Sequence, residues 1–214
     1  MKFYDPIFGK NLPEFAQSAL PAIILTSIIF FTAWSVACAM LTEFTNGFTE
    51  RVLVLGVNPL HLFIAQAISE LLLRVVYLIF IVIYVFLIIK FPLEGSLTVF
   101  VFILMLETLC GMSLGFALSS FCDSENGAAY ILMGMLVPST ILSGIIWPLE
   151  GMPTALRFIG YALPFGIPAD GMISVMQKGW GLTYYPIYYS ISNILTWTLV
   201  LLLITIICTK YRNK

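Results

Sequence analysis

Charge is what this sequence has least of. Only 10% of its 214 residues are Asp, Glu, Lys or Arg, against roughly 25% in a soluble domain. Ten Lys and Arg stand against eleven Asp and Glu, a net charge of −1. Without a basic excess to neutralise phosphates, nucleic-acid binding is excluded. The one histidine, His61, has no Cys or Asp nearby to build a metal site with, and reads as a polar residue at a helix start after Pro59. The cysteines Cys38, Cys110, Cys122 and Cys208 lie in or beside apolar runs, none at metal-ligand spacing. They read as small buried hydrophobes. No G-x-S-x-G, H-E-x-x-H or paired-carboxylate pattern is present, so the chain is not expected to be an enzyme. A phosphate loop is missing too. Gly9-Lys10-Asn11 lacks both the upstream glycine and the hydroxyl residue, so this chain does not cradle ATP by itself. There is no glycosylation sequon, heptad, long-period repeat or low-complexity tract.

What is there is apolar. Hydrophobic residues make up 60% of the chain, and mean hydropathy is +1.02. A chain of this length cannot hide that much apolar surface from water in one core. The composition excludes a soluble globular protein and a disordered one. A membrane helix needs about 20 largely apolar residues, and five stretches qualify: 20–41, within 60–89, 97–121, 128–147 and 187–208. The second is longer than the bilayer core. Its first half carries Gln66, Glu70 and Arg74 and its second half no charge, so it is expected to begin in the aqueous or interfacial layer and then enter lipid. Residues 148–186 are rich in Pro, Gly and aromatics yet still apolar. Pro164 and Pro168 are expected to break any helix there, which suits short re-entrant helices covered by protein. The expected fold is all-α: a polytopic membrane domain of five spans with re-entrant outer helices.

The basic cluster Lys210, Arg212 and Lys214 puts the C-terminus in the cytoplasm. Five spans then place Met1 outside and the connectors 42–59 and 123–127 inside. No signal peptide precedes the first span. The odd count predicts one more span upstream, in a longer chain or a split gene product.

Three features invite a role. Glu107 falls near the middle of the third span, where a charged carboxyl costs about 2.5–3.5 kcal/mol on insertion scales. It is either a cargo or proton contact, or a partner in an interhelical hydrogen bond. Gly111 and Gly115 make a G-x-x-x-G face, extended by Ser113 and Ala117. Such a face packs helices closely, either between subunits or within one. In the first connector, Phe44, Phe48, Val52 and Leu55 recur at spacings of three and four, with Glu50 and Arg51 on the flank. That is a short interfacial helix, solvated or docked to a cytoplasmic domain.

The runs Glu50-Arg51-Val52-Leu53-Val54-Leu55-Gly56-Val57-Asn58-Pro59 and Leu142-Ser143-Gly144-Ile145-Ile146-Trp147-Pro148-Leu149-Glu150-Gly151-Met152-Pro153 resemble ABC-2 type permeases. The segments 109–116, 121–123, 162–164 and 177–180 add to the likeness, which covers essentially residues 1–214. Within that family the chain is most similar to the ABC half-transporters of subfamilies G and H, especially the arthropod H-type. The resemblance implies the membrane part of an ATP-driven exporter of lipids or other amphipathic molecules, working as a homo- or heterodimer in the plasma membrane. ATP and Mg would sit on a partner ATPase domain, and the five spans would be the family's second to sixth. It also implies residue roles. A coupling helix over about 43–57 would set Glu43, Glu50, Arg51 and Gly56 near the ATPase domain. Counting back from Glu43 puts Phe31 at an aromatic cargo position with Ser27 nearby. Counting back from Gly144 puts Val137 and Thr140 on the cavity wall. Ile145 and Ile146 would gate cavity from exit, and the loop of about 148–186 would be an outer lid.

Two rival classes stand beside the exporter. An ion-coupled carrier would need several acids at membrane depth, and Glu107 is nearly alone. A truncated structural or regulatory membrane subunit would need no partner ATPase.

Overall fold

The computed structural model describes residues 15–142 and 151–212; every regular element among them is a helix, and there is no strand. Helix α1 (Phe15–Thr45) has 31 residues, about 46 Å at the helical rise. It starts earlier than the apolar run alone indicated, so Pro21 lies inside the helix rather than in its first turn. Prolines are tolerated within membrane helices where neighbours re-satisfy the freed backbone groups. A turn at Asn46 and Gly47 leads to the short α2 (Phe48–Val54). Helix α3 (Pro59–Ile83) runs on into a π-turn over Tyr84–Ile88. There the Ile89 N–H donates to the Tyr84 carbonyl at 3.0 Å and the Phe91 N–H to the Val85 carbonyl at 3.2 Å. Lys90, at φ +55°, reverses the chain.

Helices α4 (Leu97–Phe121) and α5 (Glu125–Leu142) follow, then α6 (Thr154–Ala162), α7 (Gly166–Lys178) and α8 (Tyr185–Arg212). Among the described residues, four segments are long and apolar enough to cross a membrane: Ala19–Thr45, Ile64–Ile88, Leu97–Phe121 and Tyr185–Thr209. Helix α5 holds the first part of the expected fourth span. Glu125, Asn126 and Pro138 dilute its apolar character, and the span's end, 143–147, lies outside the described residues. Helices α6 and α7 meet at 76°, as a broken span or a re-entrant loop. Pro164 does stop a helix, but Pro168 does not. It falls in the first turn of α7, where its missing N–H costs nothing.

The core is built around α4. Gly111 and Gly115 press against α1 of the same chain, which decides the G-x-x-x-G question in favour of packing within one subunit. A Cβ on Gly111 would lie 3.0 Å from the Ile29 carbonyl oxygen, and one on Gly115 2.7 Å from that of Ala33. The matched advance of both contacts shows that α1 and α4 run parallel. On its other side α4 meets α8, where Cys110 faces Thr198 and Ser120 faces Thr209 in the same parallel sense. Phe100, Ile103, Leu104, Ile28, Ile187 and Ile194 are fully buried in this three-helix layer. Helix α7 is pinned to α8 by the Ser190 hydroxyl, which donates to the Ile167 carbonyl at 2.7 Å. It is pinned to the α3–α4 loop by the Glu94 N–H on the Met176 carbonyl at 3.0 Å. At that end, opposite α2, stacked pairs Trp180–Tyr184 and Tyr185–Tyr189 form an aromatic belt of the kind that marks a membrane interface.

Candidate functional site

An apolar groove of about 550 Å³ opens between α1 and α5. From α1 it takes Thr26, Ser27, Phe31 and Trp34, and from α5 Leu132, Leu136 and Thr140. The spacing is helical on both walls, so two apolar stripes face each other. Phe31 is 62% exposed and Trp34 38%. Both rings stand open toward the groove rather than filling the core. Two of the hydroxyls serve their own helices: Ser27 donates to the Ile24 carbonyl and Thr140 to the Val137 carbonyl, each at 2.8 Å. Thr26 differs. Its Oγ1 is buried and has no hydrogen-bond partner among the described residues. It is thus a polar group with unused bonding capacity on an apolar wall.

Of the cavity residues expected from the sequence, Ser27, Phe31 and Thr140 come together on this groove. Val137 is exposed and is not part of its lining. The expected gate, Ile145 and Ile146, lies outside the described residues. Thr26 and Trp34 were missed, although both sit one turn or less from residues that were singled out.

Beyond the groove, toward α2, a cross-helix bond ties its two walls together. Thr42 Oγ1 donates to Glu125 Oε1 at 2.6 Å, joining the last turns of α1 to the first turn of α5. Glu125 suits that place, since an acid at a helix N-terminus interacts favourably with the helix dipole. Ser124 supports the same turn by accepting the Gly127 N–H.

Helix α2 and its flanks carry the expected coupling residues. Glu43 is half-buried on the last turn of α1, and Glu50 lies within α2. Arg51 folds back over the preceding turn, its Nε donating to the Gly47 carbonyl at 3.2 Å and its Nη2 to that of Asn46 at 3.0 Å. Gly56 takes φ +84° in the turn after α2, with nothing within 4 Å of a Cβ. Glycine is required there by the backbone, not by space. The helix ends at Val54, so Leu55 joins the turn instead of completing the expected apolar face. Phe44, Phe48, Val54 and Leu55 are all exposed, leaving an apolar tip.

The lower half of α3 was expected to begin in the aqueous or interfacial layer, and the structure adds which way its charges point. Gln66, Glu70 and Arg74 share one face, and that face turns inward. Glu70 is 4% and Arg74 9% exposed, and Arg74 Nη2 donates to Glu70 Oε2 at 2.8 Å. Glu107 is fully buried in the α4 core, away from the groove, and neither of its oxygens has a hydrogen-bond partner among the described residues. Neither reading offered for it from sequence is realised as a contact. Among the described residues, no group of three His, Cys, Asp or Glu is placed to hold a metal ion.

The family model described as ABC-2 type transporter matches residues 3–177. The chain is 25% identical over 212 residues to ABC transporter G family member 20 of Dictyostelium discoideum, covering 97% of this chain and 28% of that protein. It is 26% identical over 163 residues to the probable multidrug ABC transporter permease YbhR of Escherichia coli (strain K12), covering 76% of this chain and 43% of that protein. It is 22% identical over 213 residues to ABC transporter G family member 23 of Dictyostelium discoideum, covering 99% and 30%. The chain therefore spans less than half the length of these relatives.

Proposed function

The chain belongs to the ABC-2 type transporter family, and on that premise we propose that it is the membrane-spanning part of an ATP-driven exporter of lipids or other amphipathic molecules. The observation that carries this reading is the α1–α5 groove, apolar along both walls and fastened at the end where the connector α2 projects. Cargo is held by apolar burial against Phe31, Trp34 and Leu132. Such a lining favours molecules with a large apolar body and one or two polar atoms.

ATP and Mg belong to a partner ATPase domain in this scheme. The apolar tip of α2 with Glu43, Glu50, Arg51 and Gly56 is its docking element. Closure of that domain pushes α2, and rigid-body movement of the helices collapses the groove toward the far side. A second half-transporter, identical or not, completes the open side of the cavity, Ile145 and Ile146 gate the exit, and the C-terminus faces the cytoplasm of a plasma-membrane protein.

The test is ATP-dependent movement of a fluorescent amphipathic lipid in proteoliposomes holding the transporter with its ATPase partner. Losing an aromatic contact of about 1.4 kcal/mol corresponds to about tenfold, so Phe31→Ala is expected to cut transport about tenfold while assembly is kept. Unchanged transport together with unchanged cargo-stimulated ATP hydrolysis would remove the groove from the mechanism.

A further inference from the structure

Two adjacent phenylalanines of α1 line the groove in different ways. Phe31 stands open at its rim, whereas Phe30 is only 8% exposed and forms part of its floor. Phe30 is the middle residue of the 31-residue α1 and lies between the lining residues Ile23 and Trp34. Phe165 helps to cover it. The two rings stack with 5.7 Å between centroids and 11° between planes, inside the range of about 4.5–7 Å that aromatic pairs favour. Phe165 is itself buried and does not line the groove. It comes from the corner between α6 and α7, where the two helices meet at 76°. That corner therefore reaches the midpoint of α1 from behind the groove wall.

Helix α8 holds the corner on both sides. Before it, Trp197 Nε1 donates to the carbonyl of Ala162, the last residue of α6, at 2.8 Å. After it, the Ser190 hydroxyl donates to the Ile167 carbonyl in the first turn of α7. One turn further along α7, Gly171 packs so closely on Ser190 that a Cβ would not fit. The Ala169 N–H donates to the Phe165 carbonyl at 3.1 Å, which ties the corner into α7. Protein interiors are close-packed and hardly compressible. A ring held in this way does not give when its neighbour is pressed against it.

We infer that Phe165 is a specificity-determining residue of the groove: by backing Phe30 it sets the groove's depth, and so limits how bulky a cargo the groove accepts. This deepens the exporter reading and rests on it. Phe165 acts only through Phe30, so it is a positioning residue. In a groove with apolar walls, discrimination falls to size and shape. The ring of Phe31 has room around it at the rim, but Phe30 has fixed protein behind it, so the floor is the hard limit. A single acyl chain lies over such a floor, whereas a fused-ring body needs the floor lower.

The deciding variant is Phe165→Leu in the complete transporter with its ATPase partner, reconstituted in proteoliposomes. ATP-driven movement of two fluorescent probes, a single-chain lipid and a sterol, is measured on the same preparation and expressed as the ratio of sterol to single-chain rate. Leucine leaves space behind Phe30 that the surrounding core fills only in part, so the floor can drop. The ratio is expected to rise about tenfold, the lower end of what one methylene of pocket space provides. A merely structural loss lowers both rates together and leaves the ratio where it was. Phe165→Met, whose flexible side chain fills more of the space, is expected to give a smaller rise in the same direction. A ratio unchanged or lowered in Phe165→Leu, with movement retained, overturns the inference and leaves the exporter reading standing. Should that variant fail to assemble, an unchanged ratio in Phe165→Met overturns it instead. No ATP-dependent movement of either probe by the wild-type protein overturns the exporter reading and this inference with it.

Discussion

Helices α3 and α4 have the same length, 25 residues each, and nearly the same apolar content, yet they hold opposite places in the molecule. The most apolar window of α4 is 67% buried within the chain, and that of α3 only 17%. The difference lies in side-chain size at the crossing points. On α4, Gly111, Ser113, Gly115 and Ala117 let α1 come to backbone contact. In lipid, where apolar surface gains little by leaving the tails, close packing of this kind is what drives helices together. On α3 the corresponding surface is Leu, Ile and Phe, which lipid solvates as well as protein does. Hydropathy thus places both helices in the membrane, and only the small residues separate the one that builds the core from the one that borders it.

The sharpest way to break that comparison is to truncate one phenylalanine on each side of it. Phe100 of α4 is fully buried and Phe80 of α3 is 65% exposed. Phe100→Ala is expected to cost about 3–5 kcal/mol. Phe80→Ala, facing lipid, is expected to cost less than about 0.5 kcal/mol. Thermal unfolding in detergent reads both. Similar losses would mean that α3 is covered on its outer face.

Glycine gives a second, smaller contrast. An added methyl on Gly115 would press on the Ala33 carbonyl and Val36, whereas Gly134 of α5 has nothing within 4 Å. Gly115→Ala is therefore expected to destabilise by about 1–3 kcal/mol through overpacking. Gly134→Ala is expected to be neutral or to stabilise by up to about 1 kcal/mol through helix propensity. A loss at Gly134 in the assembled transporter, absent in the isolated chain, would place another subunit against α5.

The two sides also differ in how far they could be read in advance. Spans are one-dimensional facts, and the apolar runs located α1, α3, α4 and α8 directly. Faces are not. Glu70 and Arg74 marked a helix that begins in the aqueous or interfacial layer, but a count of charges does not show that their face, at an interval of four, turns into the protein. Pro168 looked like a breaker, because its tolerance depends on where the helix begins. Phe31, Ser27 and Thr140 were named from family likeness and share one groove. Thr26 was not named, since a single threonine in an apolar run carries no signal until its hydroxyl is seen without a partner. The G-x-x-x-G motif was visible, but its partner helix was a matter of three-dimensional register.

The finest distinction concerns how α5 is held. It shares the groove with α1, yet at the connector end its one observed side-chain bond to α1 is Thr42 Oγ1 to Glu125 Oε1. A hydrogen bond to a charged acceptor contributes about 1.5–3 kcal/mol when buried. This one is solvent-exposed, so roughly 1 kcal/mol or less is expected from Thr42→Val. That is too little to move global unfolding far, but it acts where α5 begins. Amide hydrogen exchange over residues 125–128 is therefore expected to quicken severalfold, while exchange in α4 stays unchanged, because local opening draws on local contacts only. Glu125→Gln keeps an acceptor oxygen and loses the charge, so its effect should fall between wild type and Thr42→Val. Equal quickening in α4 would show that the fastening of α5 and the α1–α4 core are one cooperative unit, and the contrast between a fixed core and a movable groove wall would fail.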